Sequence, residues 1–287
     1  MNVLAFFVAT VFAAETALSP LTQDRILYPT ASAAPSVSFG DLMNPPQILG
    51  DTTMYAEPIP EYSGKSVKED VTLVLLGDSM VDTLGPEFPE LTSELTSRYP
   101  GTSFTVLNYG VGGTNIDYGI ERITTGYEYL GNRYDSLVTG RPDIVVVESF
   151  AYNPYPFDTG ALERHWLALA HAVDLITAYL PDSKIIIAAT IGPNNAVFGD
   201  GAANTSFSPI DKQERVGVIK KYLESATRFA QSQNLPLADA YHPSLGSDGN
   251  GKIAYINAGD HIHYSPAGRT FFAEVLAETI TENRLLE

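Results

Sequence analysis

The chain of 287 residues contains no cysteine. Disulfide bonds, thiolate nucleophiles and cysteine-ligated zinc are therefore excluded, and the redox compartment is left open. Basic residues are also scarce, since 17 Lys and Arg stand against 34 Asp and Glu, giving a formal net charge of −17. Non-specific nucleic-acid binding depends on Lys and Arg that neutralise phosphates, so we expect no nucleic-acid partner. The hydrophobic content of 44% is ordinary for a globular domain.

No basic residue precedes the apolar run at residues 2–14 (NVLAFFVATVFAA), and the first cation is Arg25. The run is shorter than the roughly 20 residues that span a bilayer, but it is typical of the hydrophobic core of a secretory signal. We interpret residues 1–17 as a signal-like or membrane-anchor segment. The protein would then be extracytoplasmic, either secreted or tethered to a membrane. The alternative is a buried N-terminal helix in a cytoplasmic protein.

Residues 18–70 lack long apolar runs, and seven prolines interrupt any regular element: Pro20, Pro29, Pro35, Pro45, Pro46, Pro58 and Pro60. This composition predicts an extended arm or linker. The remaining residues, 71–287, are then the folded domain.

From residue 71 onward, strand and helix patterns alternate. The apolar runs predict strands at Val71–Leu76, Phe104–Leu107, Ile144–Val147, Lys184–Ala189 and Leu235–Ala238. The intervening periodicity predicts helices at Pro86–Arg98, Ile116–Tyr134, Gly160–Leu180, Lys212–Gln231 and Pro266–Asn283. This alternation indicates an α/β fold, a three-layer α/β/α arrangement around a five-stranded, parallel, doubly wound, flavodoxin-like sheet.

Polar or glycine-rich residues follow several of these strands. The segments are Gly77-Asp78-Ser79-Met80, residues 108–115 (NYGVGGTN), Ala151-Tyr152-Asn153-Pro154 and Asp260-His261-Ile262-His263. In a parallel sheet, the loops at the carboxyl ends of the strands lie at one edge and form the ligand-binding crevice. We therefore expect these four segments to meet.

With these four blocks in order, residues 71–285 resemble the SGNH (GDSL-type) hydrolase family. The resemblance implies that Ser79 is the nucleophile, His263 the base and Asp260 its partner. It also implies an oxyanion hole formed by the N–H groups of Ser79 and Gly113 and the side-chain amide of Asn153. Neither a metal nor a cofactor is implied.

The third block departs from the family pattern Gly-x-Asn-Asp, because Ala151 replaces the glycine and Pro154 replaces the aspartate. Alanine has less backbone freedom than glycine. Proline favours an extended conformation at the preceding Asn153. We therefore expect an altered loop at the third block.

The residue types suit acyl transfer. A serine hydroxyl becomes a good nucleophile when a neighbouring base takes its proton. Histidine titrates in the useful range, and an aspartate can fix its tautomer and stabilise the imidazolium. A single oxyanion donor typically contributes about 3–4 kcal/mol in the transition state.

Further residues admit two interpretations each. Tyr109, Tyr152 and Tyr155 lie on the site-edge loops and either bind substrate or pack in the ordinary way. The segment 192–209 is either a lid or substrate wall, or a disordered surface loop. We interpret the other histidines as surface or core residues. For His242, the sequence shows no evident partner.

These observations predict a serine esterase that hydrolyses carboxylic esters through an acyl-enzyme. Its substrate would be a small-molecule or glycan ester, with O-acetylated glycans favoured if the protein is exported. One alternative is a non-catalytic glycan- or surface-binding domain on the same fold. Another is an acyltransferase that moves the acyl group to a sugar hydroxyl.

Overall fold

The structure is a computed structural model, and it describes residues 68–287. The predicted N-terminal segment (1–17) and almost all of the predicted arm (18–70) lie outside these residues. Within the described part of the chain, no helix is both long and apolar enough to cross a bilayer.

The described residues form seven strands: β1 Asp70–Gly77, β2 Ser103–Gly110, β3 Tyr127–Tyr129, β4 Asn132–Tyr134, β5 Ile144–Glu148, β6 Lys184–Ala189 and β7 Leu237–Asp239. Five of them pair in parallel in the order β2-β1-β5-β6-β7. The strand order reverses at β1, as in flavodoxin-like folds, so the predicted sheet is confirmed.

Seven α-helices accompany the strands in this part of the chain: α1 Ser79–Asp82, α2 Pro89–Arg98, α3 Ile116–Thr124, α4 Ala161–Tyr179, α5 Pro209–Ser232, α6 Tyr241–Ser244 and α7 Pro266–Glu282. Most predicted boundaries agree within a few residues. Helix α5 begins earlier than predicted because Ser208 and Asp211 form a capping box around the Pro209 start.

Alternate residues of β1 enter two separate cores. Leu73 and Leu75 pack on the side that contains α2 and α7, whereas Val74 and Leu76 pack on the side that contains α3, α4 and α5. A strand buried on both faces requires the continuous apolar run seen in the sequence. The sheet is therefore the middle of three layers, as predicted.

The predicted helix Ile116–Tyr134 is wrong beyond Thr124, because residues 127–134 form an antiparallel hairpin. Leu130 and Gly131 adopt φ values of 51° and 77°, and a two-residue turn with both φ values positive suits a tight hairpin. A side chain at Gly126 would lie 2.9 Å from the carbonyl oxygen of Tyr134. The glycines that weakened the helical pattern thus build a different element.

Candidate active site

Ser79 is the first residue of α1, two positions after strand β1 ends at Gly77. The carboxylate of Asp78 caps this helix by accepting a 2.8 Å hydrogen bond from the N–H of Met80. Gly77 is needed for the turn, since a Cβ there would lie 2.2 Å from Cγ2 of Val81. The sequence Gly-Asp-Ser therefore turns the chain sharply and places Ser79 at the carboxyl edge of the sheet.

Asp260 and His263 form a hydrogen-bonded pair just before α7. His263 Nδ1 lies 2.9 Å from Asp260 Oδ2, and the backbone N–H groups of Ile262 and His263 donate to Oδ1 at 2.8 and 3.1 Å. Partial burial raises the pKa of Asp260, but these hydrogen bonds and the charge of His263 outweigh it, so the net pKa is below its ordinary value. The other ring nitrogen of His263, Nε2, is buried and makes no hydrogen bond within residues 68–287.

Ser79 and His263 are 184 positions apart in the sequence, but the charge of His263 reaches the segment that carries Ser79. Burial raises the pKa of Asp78 and of Asp82, and the charge of His263 opposes the rise at both carboxylates. Asp78 precedes Ser79, and Asp82 ends the helix that Ser79 begins. His263 is therefore close enough to this segment to act on two of its carboxylates.

The chain contains a second Asp-x-x-His pair, Asp239 and His242, at the carboxyl end of β7. His242 Nδ1 lies 2.7 Å from Asp239 Oδ2, and its Nε2 lies 3.1 Å from Glu224 Oε1 on α5. The expectation that His242 has no evident partner is therefore wrong. Both of its ring nitrogens are engaged, whereas only one is engaged in His263.

The loop after β2 approaches the serine closely. A Cβ at Gly112 would lie 3.8 Å from Ser79 Cβ, and Gly113 turns the loop with a φ of 73°. The backbone N–H groups of Ser79 and Gly113 donate no hydrogen bond to any described residue. Both N–H groups are therefore available to an acceptor from outside the described chain.

The side-chain amide of Asn153 donates a 2.9 Å hydrogen bond to Asp78 Oδ2. An asparagine amide carries two N–H groups, so the second remains for another acceptor. Asp78 thereby joins the serine loop to the loop after β5.

At the altered third block, the unusual backbone conformation falls on Phe150, the residue before Ala151. Phe150, which is buried, takes a left-handed φ of 53°, while Ala151 keeps a negative φ and is fully buried. The ring of Phe150 packs onto α3 where Gly119 leaves room, since a Cβ there would lie 2.4 Å from the ring. A non-glycine residue in the left-handed region costs about 1–3 kcal/mol, so the surrounding packing must hold Phe150 in this conformation.

Two buried charged residues behind the site were not identified from the sequence. Arg122 on α3 is 1% exposed and donates to the carbonyl oxygens of Gly77 (3.0 Å) and Tyr109 (2.6 Å), which end β1 and precede the β2 loop. Glu148, at the end of β5, accepts a 2.7 Å hydrogen bond from Ser149 Oγ, and burial raises its pKa well above the ordinary value. A carboxylate that ends an apolar strand was the available signal for Glu148.

The three tyrosines of the site-edge loops all make contacts within the fold. Tyr109 packs edge-on against two other tyrosine rings. The Tyr152 hydroxyl donates to the carbonyl of Ile191 at 2.9 Å, and the Tyr155 hydroxyl donates to Asp117. Packing accounts for these contacts, and substrate binding by the three tyrosines stays a prediction.

The loop between β6 and α5 packs against the loop that carries His263. The carbonyl of Asp200 lies 2.7 Å from His261 Nδ1, and a Cβ at Gly201 would lie 2.4 Å from the carbonyl oxygen of Gly259. Inside the loop, the rings of Phe198 and Phe207 stack at 6.1 Å. This segment is therefore an ordered neighbour of the site.

No protein-family profile and no curated protein matches the sequence. Solved structures do match. A proposed GDSL-like lipase from Parabacteroides merdae is 14% identical, with a TM-score of 0.53 over 75% of this chain and 98% of that chain. The lipase/acylhydrolase from Enterococcus faecalis is 18% identical, with a TM-score of 0.49 over 74% and 96%. Axe2, an acetylxylan esterase from Geobacillus stearothermophilus, is 16% identical, with a TM-score of 0.45 over 73% and 94%. The match to the Parabacteroides merdae structure, whose TM-score exceeds 0.5, shows that the chain has the SGNH (GDSL-type) hydrolase fold.

Proposed function

We propose that the protein is a serine carboxylic ester hydrolase that works through an acyl-enzyme. The observation that carries this proposal is the Asp260–His263 pair, whose buried Nε2 has no partner in the described chain and which lies near the loop of Ser79. The fold adds support, because it is the fold of GDSL-type hydrolases.

The first half of the reaction forms the acyl-enzyme. His263 Nε2 takes the proton of Ser79 Oγ as the oxygen attacks the ester carbonyl carbon. The N–H groups of Ser79 and Gly113, with the free N–H of Asn153, stabilise the oxyanion. His263 then gives the proton to the leaving alcohol oxygen as the ester C–O bond breaks. Asp260 accepts from Nδ1 throughout and stabilises the imidazolium.

The second half releases the acid. Water replaces the alcohol, His263 removes one of its protons, and the resulting oxygen attacks the acyl carbon. Collapse of the tetrahedral intermediate breaks the bond to Ser79 Oγ, which regains its proton from His263. Each turnover therefore consumes one ester and one water and releases one alcohol and one acid.

The test is hydrolysis of p-nitrophenyl acetate and butyrate by the full chain. We expect Ser79→Ala to lower kcat by about 10³-fold or more, because the nucleophile is lost. Ser97→Ala is the matched control, since Ser97 is exposed on α2, a helix that carries none of the proposed site residues. A phosphonate ester should also label the wild-type protein at Ser79, as read by peptide mass spectrometry. A folded wild-type protein that neither turns over nor labels would overturn the proposal.

Among natural substrates we propose O-acetylated glycans as the first class to assay, in keeping with an exported esterase. Release of acetate, with no acetylated product when a free sugar acceptor is added, separates hydrolysis from acyl transfer. Glycan binding that survives Ser79→Ala, with no ester turnover in the wild type, would instead support a binding domain.

A further inference from the structure

The hairpin β3–β4 places a tyrosine hydroxyl between two elements of the candidate site. Tyr129 accepts a hydrogen bond from the N–H of Gly112 at 3.1 Å and donates one to Asp82 Oδ2 at 2.8 Å. Gly112 belongs to the loop after β2, and Asp82 ends the helix that begins with Ser79. One phenol thus bridges the predicted oxyanion loop, the serine helix and the hairpin.

The same three elements come close together at Gly112. A Cβ at Gly112 would lie 3.1 Å from the Tyr129 hydroxyl, 3.4 Å from Asp82 Oδ2 and 3.8 Å from Ser79 Cβ. The bridge is therefore adjacent to the serine. It lies within the distance over which small backbone shifts change the geometry of the reacting groups.

The hairpin that carries Tyr129 is well anchored. The rings of Tyr127 and Tyr134 stack at 4.9 Å, and Tyr109 of β2 packs edge-on against both. The buried guanidinium of Arg122 lies 5.6 Å from the Tyr127 ring centroid, and it also holds the carbonyl of Gly77. The hairpin is thereby packed against the ends of the two strands that carry the serine and oxyanion loops.

The phenol also remains protonated. Partial burial, with an additional contribution from the Asp82 carboxylate, raises the pKa of Tyr129 to about 12. A neutral phenol can donate to Asp82 and accept from Gly112 at once, which a phenolate could not do.

Adjacent amides of the loop consequently have different roles. Tyr129 engages the N–H of Gly112, whereas the N–H of Gly113, turned by its left-handed φ, has no partner within residues 68–287. The hydroxyl thus fixes one amide and leaves the next one for a substrate oxygen.

We propose that Tyr129 is a positioning residue for the esterase reaction, holding the Gly112–Gly113 loop against the serine helix so that the Gly113 N–H faces the developing oxyanion. The inference rests on the proposed function. Tyr129 acts through Gly112 and Asp82 and does not itself touch the substrate.

The test is steady-state kinetics of Tyr129→Phe in the full chain with p-nitrophenyl acetate. We expect kcat to fall about tenfold or more with KM changed less than threefold, because the lost interaction orients a group used only in the transition state. Tyr134→Phe is the matched control, since it removes a hydroxyl from the same hairpin and keeps a stacked ring; it should retain wild-type kinetics.

A second variant tests the same contact from the loop side, and its single-variant measurement requires no change at Tyr129. Gly112→Ala would push a methyl group against the Tyr129 hydroxyl, so it should lower kcat in the wild-type background. In the Tyr129→Phe background the same change should add little, because the hydroxyl that it displaces is already absent.

The outcomes separate the two proposals. An active wild type with unchanged kcat in Tyr129→Phe, or with a raised KM alone, overturns the positioning role and leaves the esterase intact. Full additivity of Gly112→Ala and Tyr129→Phe overturns it as well. A folded wild type without turnover or phosphonate labelling overturns the proposed function itself.

Discussion

The side-chain amide of Asn153 donates to the carboxylate of Asp78 at 2.9 Å, across 75 positions of sequence. The other oxygen of the same carboxylate caps α1 through the N–H of Met80. One buried aspartate therefore fixes both the helix that begins with the proposed nucleophile and the asparagine proposed to bind the oxyanion.

Reversing the polarity of this contact should separate stability from catalysis. In Asp78→Asn, the new side-chain NH2 group would lie opposite the NH2 group of Asn153, so two donors would meet. We expect kcat for p-nitrophenyl acetate to fall at least about tenfold, because Asn153 is displaced from the oxyanion. Adding Asn153→Asp would restore a donor–acceptor pair and raise the Tm relative to Asp78→Asn. The double variant should stay inactive, since a carboxylate would then face the oxyanion. Wild-type kcat in Asp78→Asn would contradict this account of Asp78.

His242 should affect stability and leave catalysis untouched. Partial burial lowers its pKa, but Asp239 and Glu224 outweigh this effect and the net pKa is raised above 6.5. A histidine with a raised folded-state pKa contributes stability that is fully present below its unfolded pKa and is lost as the pH rises through the folded value. The Tm difference between wild type and His242→Gln should therefore be largest near about pH 5.5 and should shrink near about pH 9.

The size of this effect is limited, because the His242 side chain is 46% exposed. We expect the Tm of His242→Gln to differ from the wild-type Tm by no more than about 3 °C. At neutral pH, kcat/KM should stay at the wild-type value in His242→Gln and should collapse in His263→Gln. The reverse pattern would show that His242, and not His263, is the base.

The contact between the β6–α5 loop and the loop that carries His263 can be tested by substituting one glycine. Gly201 has a φ of 86°, and a Cβ there would lie 2.4 Å from the backbone oxygen of Gly259, next to Asp260. We expect Gly201→Ala to lower the free energy of unfolding by about 1–3 kcal/mol and to reduce kcat.

Gly217→Ala is the control for this change, because Gly217 lies within α5 and a Cβ there would meet no atom within 4 Å. Alanine favours a helix interior by up to about 1 kcal/mol over glycine, so this variant should gain stability. The Tm of each variant is measured by thermal unfolding, monitored by circular dichroism. Equal Tm values for the two variants would contradict the proposed contact.

The sheet was predictable because its strands are buried on both faces. The runs Leu73–Leu76 and Ile185–Ala189 are buried throughout and have no exposed side on which polar residues would interrupt the pattern. The hairpin at 127–134 was not predicted, since residues 116–124 form an amphipathic helix and its pattern was extended through glycines that belong to turns. Local sequence did not show which glycine ends the helix.

The site was predictable only where the chemistry is carried by short motifs. Ser79 and His263 were selected by the residues around them. Arg122 and Tyr129 gave no such signal, because the hydrogen bonds that tie them to the serine segment reach Gly77 and Asp82, which lie 45 and 47 positions away in the sequence. Residues that hold a site together through distant contacts are the ones that a single sequence conceals.

The order of the site residues along the chain also has a consequence for synthesis on the ribosome. The serine loop follows the first strand of the domain, whereas the Asp260–His263 pair comes after the last strand. A nascent chain that has completed the whole sheet still lacks the proposed base. The serine of the growing polypeptide therefore has no base until translation passes His263, and a product that terminates before this residue lacks both the proposed base and the core residues of α7.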